Sequence, residues 1–593
     1  MRAALVERFN ALELSENAIL IGFALAIGVL SALGVVAFYK SIDLAYALFY
    51  RLPGELVPRL PFLAYRPVLT ACGIALAWWF MKYVGRGHDG LNVPDVQLAV
   101  VRRAGYIPLR PALARTLASA ITIGSGGSAG SEGPVVVFGS AIGSLGGRLF
   151  GFGPDRMRVL VGAGAGAAIS AAFNAPIAGA FFALEEILGS LAVTAFPPVV
   201  VASVIAAVIS RAVFGNHPAF KIPVEYSYGL AREVFVFFPL LGVVTGAVAA
   251  LFVRCFFGAE SIVKRLPKGR WTVPWLGGAL VGVLVVASGG LLVGYGHLAV
   301  HLEVFGHMPW WQLALLALGS IVATSVTLNT GGSGGLFTPS LYVGAATGGA
   351  FGVGLAQLMP NAHIHPEAYA IVGMGALVAA STHAPITGIL LVFEMTNDYA
   401  LVLPLMLATV ISYMVARRFE PDSLYSGWLR RRGERIEHGA DETTLANLRV
   451  RDAYDPAAHS VFEREEVGSL LDRLGREDQL VFPVVDAEGG LCGVIGVGDL
   501  GRVAKDYGNL APLVLAADLA QPTETIGPND SLLDAMRRLG VRGVSALPVV
   551  DADERVLGLL SRHHVLAAYE RSIAESTVSA EHTAVAPDHD AVA

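Results

Sequence analysis

Two stretches decide how this chain is read: G-G-S-A-G-S-E-G-P (residues 126–134) and G-G-S-G-G-L-F-T-P (residues 331–339). Each leads into an apolar run able to form a helix, and a helix start leaves four backbone N–H groups without intrahelical partners. Those groups and the helix dipole attract anions. Glycine lets the backbone itself approach an ion, and the hydroxyls of Ser128 and Ser333 are expected to add donors. Neither stretch holds a Lys or Arg, as suits an ion that must bind weakly enough to leave again.

The likeness spreads outward from these stretches at an offset of about 205 to 209 residues. Gly139, Gly143 and Gly147 recur as Gly344, Gly348 and Gly352. Gly164, Gly166, Ala175, Pro176, Ile177, Gly179 and Glu185 recur as Gly373, Gly375, Ala384, Pro385, Ile386, Gly388 and Glu394. Any single run of small residues could do no more than pack helices. Two matched, interrupted sets instead point to inverted repeats with a binding site where they meet, because irregular backbone at membrane depth is tolerated only inside protein or beside a wet cavity.

Composition agrees. The 593 residues are 54% hydrophobic and 15% charged, which is the range of a membrane protein. Residues 18–39 and 234–253 carry no charge, and each run is long enough to cross a hydrocarbon core of ~30 Å. The first is too long for a signal-peptide core and is expected to stay as an anchor. A formal charge of −6 gives no basic surface for nucleic acid. Arg102, Arg103 and the run from Arg430 to Arg432 border apolar segments and read as cytoplasmic-side signals. Cys72, Cys255 and Cys492 have neither disulfide-framework nor metal-ligand spacing, so no metal is expected.

Three carboxylates stand out. Glu132 lies inside the first glycine stretch, where an intramembrane acid is costly without a partner or a task. It reads as a gate that occupies an anion position when ionised and swings away when protonated; capping its own helix is the alternative. Glu185 and Glu186 are neighbours, set about 100° apart on a helix, so they cannot share a role. Glu185 has Glu394 as its repeat mate, whereas Met395 stands opposite Glu186. The unmatched Glu186 is a candidate proton acceptor from the cytosol, with an ordinary interfacial acid as the alternative.

These residues bring a family into view. Over residues 17–570 the chain resembles the CLC chloride channels and proton-coupled anion exchangers. G-S-E-G-P (130–134) is similar to that family's G-R/K-E-G-P, and G-L-F-T-P (335–339) to its G-x-F-x-P. A-A-F-N-A-P-I-A-G (171–179) followed by L-E-E, and H-A-P-I-T-G-I-L-L-V-F-E-M-T (383–396), are family-like too. The resemblance implies an all-α membrane domain of two inverted repeats, halves 17–213 and 233–418, in a homodimer with one pathway per subunit. It implies that chloride or a similar small anion meets the backbone around Gly130, Ser131, Gly133, Gly335, Leu336 and Phe337 and the Tyr425 hydroxyl. It makes Glu132 the external gate and Glu186 an internal proton-transfer group, which favours exchange over a passive channel. Leu91, in G-L-N-V-P (90–94), stands where the family keeps an anion-binding serine, and Ser131 stands where it keeps a basic residue. These departures leave chloride, nitrate and fluoride open as cargo, although Pro134, Tyr425 and Glu186 depart from the fluoride branch.

Hydrophobicity ends abruptly near Gly433. The expected domains are 1–432 for the membrane part, 433–448 for a linker, 449–508 and 513–572 for two α/β modules, and 573–593 for a disordered tail. F-P-V-V-D-A (482–487) and L-P-V-V-D-A (547–552) mark the tandem modules, each reading as strand, turn, strand and helix. They resemble a CBS pair, a kind of module that commonly binds adenine nucleotides between its copies. Asp499 keeps the acid of that site without its hydroxyl partner, since Gly496 stands there. Ser561 keeps the hydroxyl without the acid, replaced by His564. A dimer-stabilising role for the pair is therefore preferred over nucleotide sensing. The pair places the C-terminus in the cytosol of a multi-pass protein of the cell (inner) membrane. An intramembrane metalloprotease would need His-Glu-x-x-His, which the sequence lacks; His301, Glu303 and His307 are wrongly spaced, and no enzymatic activity is expected.

Overall fold

The computed structural model describes residues 16–56, 62–85, 91–190, 194–215, 233–266, 271–292, 308–362, 364–434, 445–474, 479, 481–500, 514–541, 545–569 and 571–572. Gly90, His301, Glu303, His307, most of the expected linker and the stretch 573–593 lie outside them. The chain divides into two compact units, Met1–Ile436 and Glu437–Ala593.

The first unit is helical. Its first half runs through α1 (Glu16–Tyr46), α2 (Phe62–Tyr83), α3 (Val93–Arg102), α4 (Leu109–Gly124), α5 (Glu132–Phe150), α6 (Pro154–Phe173), α7 (Pro176–Phe182) and α8 (Phe196–Phe214). The second half runs through α9 (Phe238–Arg265), α10 (Thr272–Ala287), α11 (Trp310–Asn329), α12 (Phe337–Leu358), α13 (Pro366–Thr382), α14 (Pro385–Thr396) and α15 (Val402–Phe419), and α16 (Ser426–Arg431) follows. Among the described residues, seven helices are long and apolar enough to cross a membrane.

The repeat is visible in the backbone. The turn before α5 holds Gly126 at φ +90°, and the turn before α12 holds Gly331 at φ +120°. Helix α6 ends on left-handed Asn174 and α13 on left-handed His383, and Pro176 and Pro385 then open α7 and α14. A left-handed residue stops one helix and a proline in the first turn starts the next, so each half makes the same sharp reversal. The hairpins α5–α6 and α12–α13 pack backbone on backbone. A Cβ on Gly139 would overlap the carbonyl of Gly164, and one on Gly344 would overlap that of Gly373.

Each half has its own apolar core, and each core borrows from the other. Tyr425, which follows the second half, packs into the cluster of α1 and α3–α8, whereas Ala175 and Ala178 of the first half pack into the cluster of α9–α15. Residues far apart in sequence are thereby brought to the interface of the repeats.

In the second unit, β1 (Val461–Phe462) pairs parallel with β2 (Val481–Val485), which pairs antiparallel with β3 (Leu491–Gly496). A separate hairpin joins β4 (Ala546–Val550) to β5 (Val556–Ser561). The two hairpins share one register: Val481 faces Gly496 and Ala546 faces Ser561, with an irregularity after Val484 in one and after Val549 in the other.

Candidate functional site

The glycine stretches meet. Gly130 N–H donates to the Gly335 carbonyl at 2.9 Å, and Gly335 N–H returns a bond to the Gly130 carbonyl at 2.7 Å. This two-bond bridge sets the starts of α5 and α12 side by side. The serines lock the same junction: the Ser128 hydroxyl lies 2.8 Å from that of Thr324 on α11, and the Ser333 hydroxyl 2.8 Å from that of Ser119 on α4. Their backbone N–H groups donate to Thr327 and Thr122. The hydroxyls thus tie each glycine stretch to the opposite repeat, and neither serine lines the cavity described next. The expectation that they serve as anion donors is corrected on this point.

A cavity of about 80 Å3 opens at the junction, lined among others by Asn92, Arg115, Gly133, Gly335, Leu336 and Tyr425. Gly133, Gly335, Leu336 and Tyr425, four of the residues named from the sequence, line this one space. Phe337 heads α12 and turns its ring toward Phe173 and Phe182, with centroids 6.0 and 6.3 Å apart. Ser131 is the buried residue before α5. Leu91 is half-buried against the first-half core and does not line the cavity.

Glu132 is the first residue of α5 and only 1% exposed. Its Oε1 accepts from both the backbone N–H and the hydroxyl of Thr338, in the first turn of α12. The carboxylate therefore spans from one half-helix start to the other, against Gly130 and Gly335, where a Cβ on either glycine would collide with Oε2. Glycine at 130 and 335 is what leaves room for this side chain. The side chain reaches across to the opposite repeat and also meets the backbone N–H groups of Glu132 and Gly133 in its own first turn.

Glu186 lies in a π-helical turn (Ala183–Ile187) that continues α7, and it is 7% exposed. Gln97 of α3 donates to its Oε1 and to its backbone carbonyl, both at 2.8 Å. Glu185 points elsewhere, accepting from the N–H groups of Ile386 at 3.1 Å and Thr387 at 2.7 Å. The neighbouring acids do have separate surroundings, as helix geometry requires.

Four site residues were missed in the sequence. Thr338 sat inside a quoted motif without a role. Arg115, 5% exposed in α4, was signalled only by being a cation in an apolar helix. Nothing local marked Asn92 or Gln97, whose importance comes from partners far along the chain.

In the second unit, Asp499 accepts from Gly496 N–H at 3.2 Å, while the N–H of His564 donates to the Ser561 hydroxyl at 3.3 Å. Each half-motif residue makes a local bond at the start of the segment that follows its hairpin. Among the described residues, no group of three or more His, Cys, Asp or Glu could hold a metal.

Two half-helix starts from duplicated halves, meeting beside a cavity with a carboxylate between them, define a membrane transport protein of the broken-helix type. The chain belongs to the voltage-gated chloride channel family, whose profile, "Voltage gated chloride channel", matches residues 73–417; a CBS domain profile matches residues 516–571. A ClcB-like chloride channel protein of Ralstonia nicotianae is 36% identical over 378 residues, 63% of this chain and 87% of that one. The "H(+)/Cl(-) exchange transporter ClcA" of Cronobacter sakazakii is 31% identical over 443 residues, 72% of this chain and 93% of that one. Among solved structures, a slow cyanobacterial Cl-/H+ antiporter superposes with a TM-score of 0.64 at 27% identity, over 71% of this chain and 99% of its own. A eukaryotic CLC transporter gives 0.62 at 19% identity over 93% of this chain, a likeness of fold alone.

Proposed function

We propose that the protein exchanges chloride for protons across the cell (inner) membrane, as a homodimer with its CBS-like unit in the cytosol. The observation that carries this is the Glu132 carboxylate, held by Thr338 across the two half-helix starts beside the cavity. Ionised, it accepts those N–H and O–H bonds in place of an anion; protonated, it loses its charge and yields the position. One side chain thus links anion access to proton uptake. Glu186, enclosed and held by Gln97, supports exchange over passive conduction, since a proton taken up at Glu132 needs a second acceptor on its way to the cytosol. The relatives named for H(+)/Cl(-) exchange support the same reading.

In liposomes loaded with chloride, wild-type protein is expected to drive protons uphill against an anion gradient, and Glu132→Gln to pass anions without protons. Intact coupling in Glu132→Gln would refute the gate. Anion flux without proton movement in the wild type would make the protein a passive channel, and a preference for fluoride would change the cargo. For the tail, the reading is a dimer-stabilising module. Titration of the full chain with ATP, ADP and AMP tests it, and heat at millimolar nucleotide would favour sensing instead.

A further inference from the structure

Asn92 precedes α3 and lines the cavity beside Tyr425, Leu336 and Gly335. Its side-chain Oδ1 accepts from Nη2 of Arg115, and the same Nη2 donates to the Gly334 carbonyl at 3.2 Å. A carboxamide has an acceptor end and a donor end. With the oxygen on the guanidinium, the NH2 group is the end left to meet the cavity. The backbone of Asn92 is fixed as well: its N–H donates to the Asp95 carboxylate at 2.8 Å, and Asp95 pairs with Arg432 at 2.9 Å.

We propose that Asn92 is an anion ligand of this cavity, donating through its NH2 group, and that Arg115, which lines the same cavity, is the positioning residue that orients the amide and adds a positive field. The proposal rests on the anion-transport reading and names a specificity-determining residue for it. It also accounts for Leu91, which has no donor and does not line the cavity: the donor sits one residue further along. An amide N–H has a fixed direction, whereas a hydroxyl O–H rotates to suit its acceptor, so anion preference at this site is set by the pair Asn92–Arg115 rather than by a serine. A neutral donor beside a guanidinium already engaged by the amide oxygen and the Gly334 carbonyl binds an anion without trapping it, which permeation requires.

The test is calorimetric titration of purified full-length protein with chloride, alongside chloride-dependent flux in liposomes. Asn92→Ala is expected to weaken chloride binding about tenfold, the range of one hydrogen bond to a charged group. It should raise the chloride KM more than it lowers maximal turnover. Asn92→Asp, which puts an acceptor where the donor was, is expected to weaken binding further, and Asn92→Ser, which restores a donor, to recover part of the loss. Arg115→Gln is expected to weaken binding several-fold and serves as the second measurement if an Asn92 variant fails to fold. Wild-type chloride affinity in Asn92→Ala and in Arg115→Gln would overturn the proposal, as would an Asn92→Ser protein no better than Asn92→Ala. Chloride binding that depends on Asn92 in a protein that moves no protons would leave the ligand assignment standing and refute exchange instead.

Discussion

Glu185 and Glu394, repeat mates in the sequence, each cap the helix that carries the other. Glu185 accepts from the N–H groups of Ile386 and Thr387 at the start of α14 and from the Thr387 hydroxyl at 2.7 Å. Glu394, near the end of α14, accepts from Ile177 at 3.0 Å and Ala178 at 2.7 Å at the start of α7. A proline opens both helices, so their first free donors are the N–H groups that follow, and a carboxylate there satisfies them and complements the helix dipole. Removing either acid leaves two backbone N–H donors without that acceptor in a partly buried setting, a cost of about 1–3 kcal/mol. Glu185→Ala and Glu394→Ala are each expected to lower the melting temperature of the purified protein by several degrees. The surviving folded protein should keep its anion-to-proton ratio; a changed ratio without a stability loss would place these acids in the transport path.

The Thr338 hydroxyl is one of the donors that hold Glu132 in place. Thr338→Val keeps the volume and the backbone bond but deletes the hydroxyl, at about 1.5–3 kcal/mol for a bond to a charged acceptor. The closed position of Glu132 is then less favoured. Anion turnover in liposomes should rise several-fold, and proton coupling should persist because the carboxylate is still present. Unchanged turnover would mean that release of Glu132 does not limit the cycle.

Gln97 places its amide on Glu186 from a different helix, through two bonds to one residue. Gln97→Leu removes both without adding charge. Glu186 then loses the amide that holds its Oε1, and a less ordered carboxylate transfers protons less often. Proton flux is expected to fall several-fold while anion flux falls less, so that the measured anion-to-proton ratio rises. A ratio equal to that of the wild type would assign Gln97 to the packing of α3 against the turn after α7.

What could be read from the sequence was what repeats. The glycine stretches, the reversals at Asn174 and His383, and the paired acids recur at a fixed offset, so the broken-helix fold and the position of Glu132 were legible without coordinates. The tandem strand pairs of the tail were legible for the same reason. What breaks the repeat was not. Asn92, Gln97 and Arg115 act through partners 23 to 219 residues away along the chain, and no local pattern encodes which residue they will meet. The same blindness misplaced Ser128 and Ser333: their glycine-rich surroundings suggested an anion, whereas the fold supplied Thr324 and Ser119. Leu91 was singled out by alignment to a motif, yet the cavity is lined by the residue that follows it.

Gly130 and Gly335 form the same bridge but should not tolerate substitution equally. A Cβ added to Gly130 would collide with the Glu132 carboxylate and nothing else closer. That group is the end of a flexible side chain, which can shift while the backbone stays. A Cβ on Gly335 would meet Glu132 as well, but also the backbone nitrogen of Gly133 at 2.7 Å, and backbone at the junction of two packed repeats cannot step aside without separating them. Overpacking of that kind costs about 1–3 kcal/mol. Gly130→Ala is therefore expected to fold with near wild-type thermal stability and to pass anions with weakened proton coupling, because Glu132 is held away from Thr338. Gly335→Ala is expected to melt several degrees lower. Measuring both variants for melting temperature and for the anion-to-proton ratio separates the two effects: a Gly130→Ala protein that couples like the wild type would show that Glu132 does not need this position to gate, and the gate assignment would then rest on Thr338 alone.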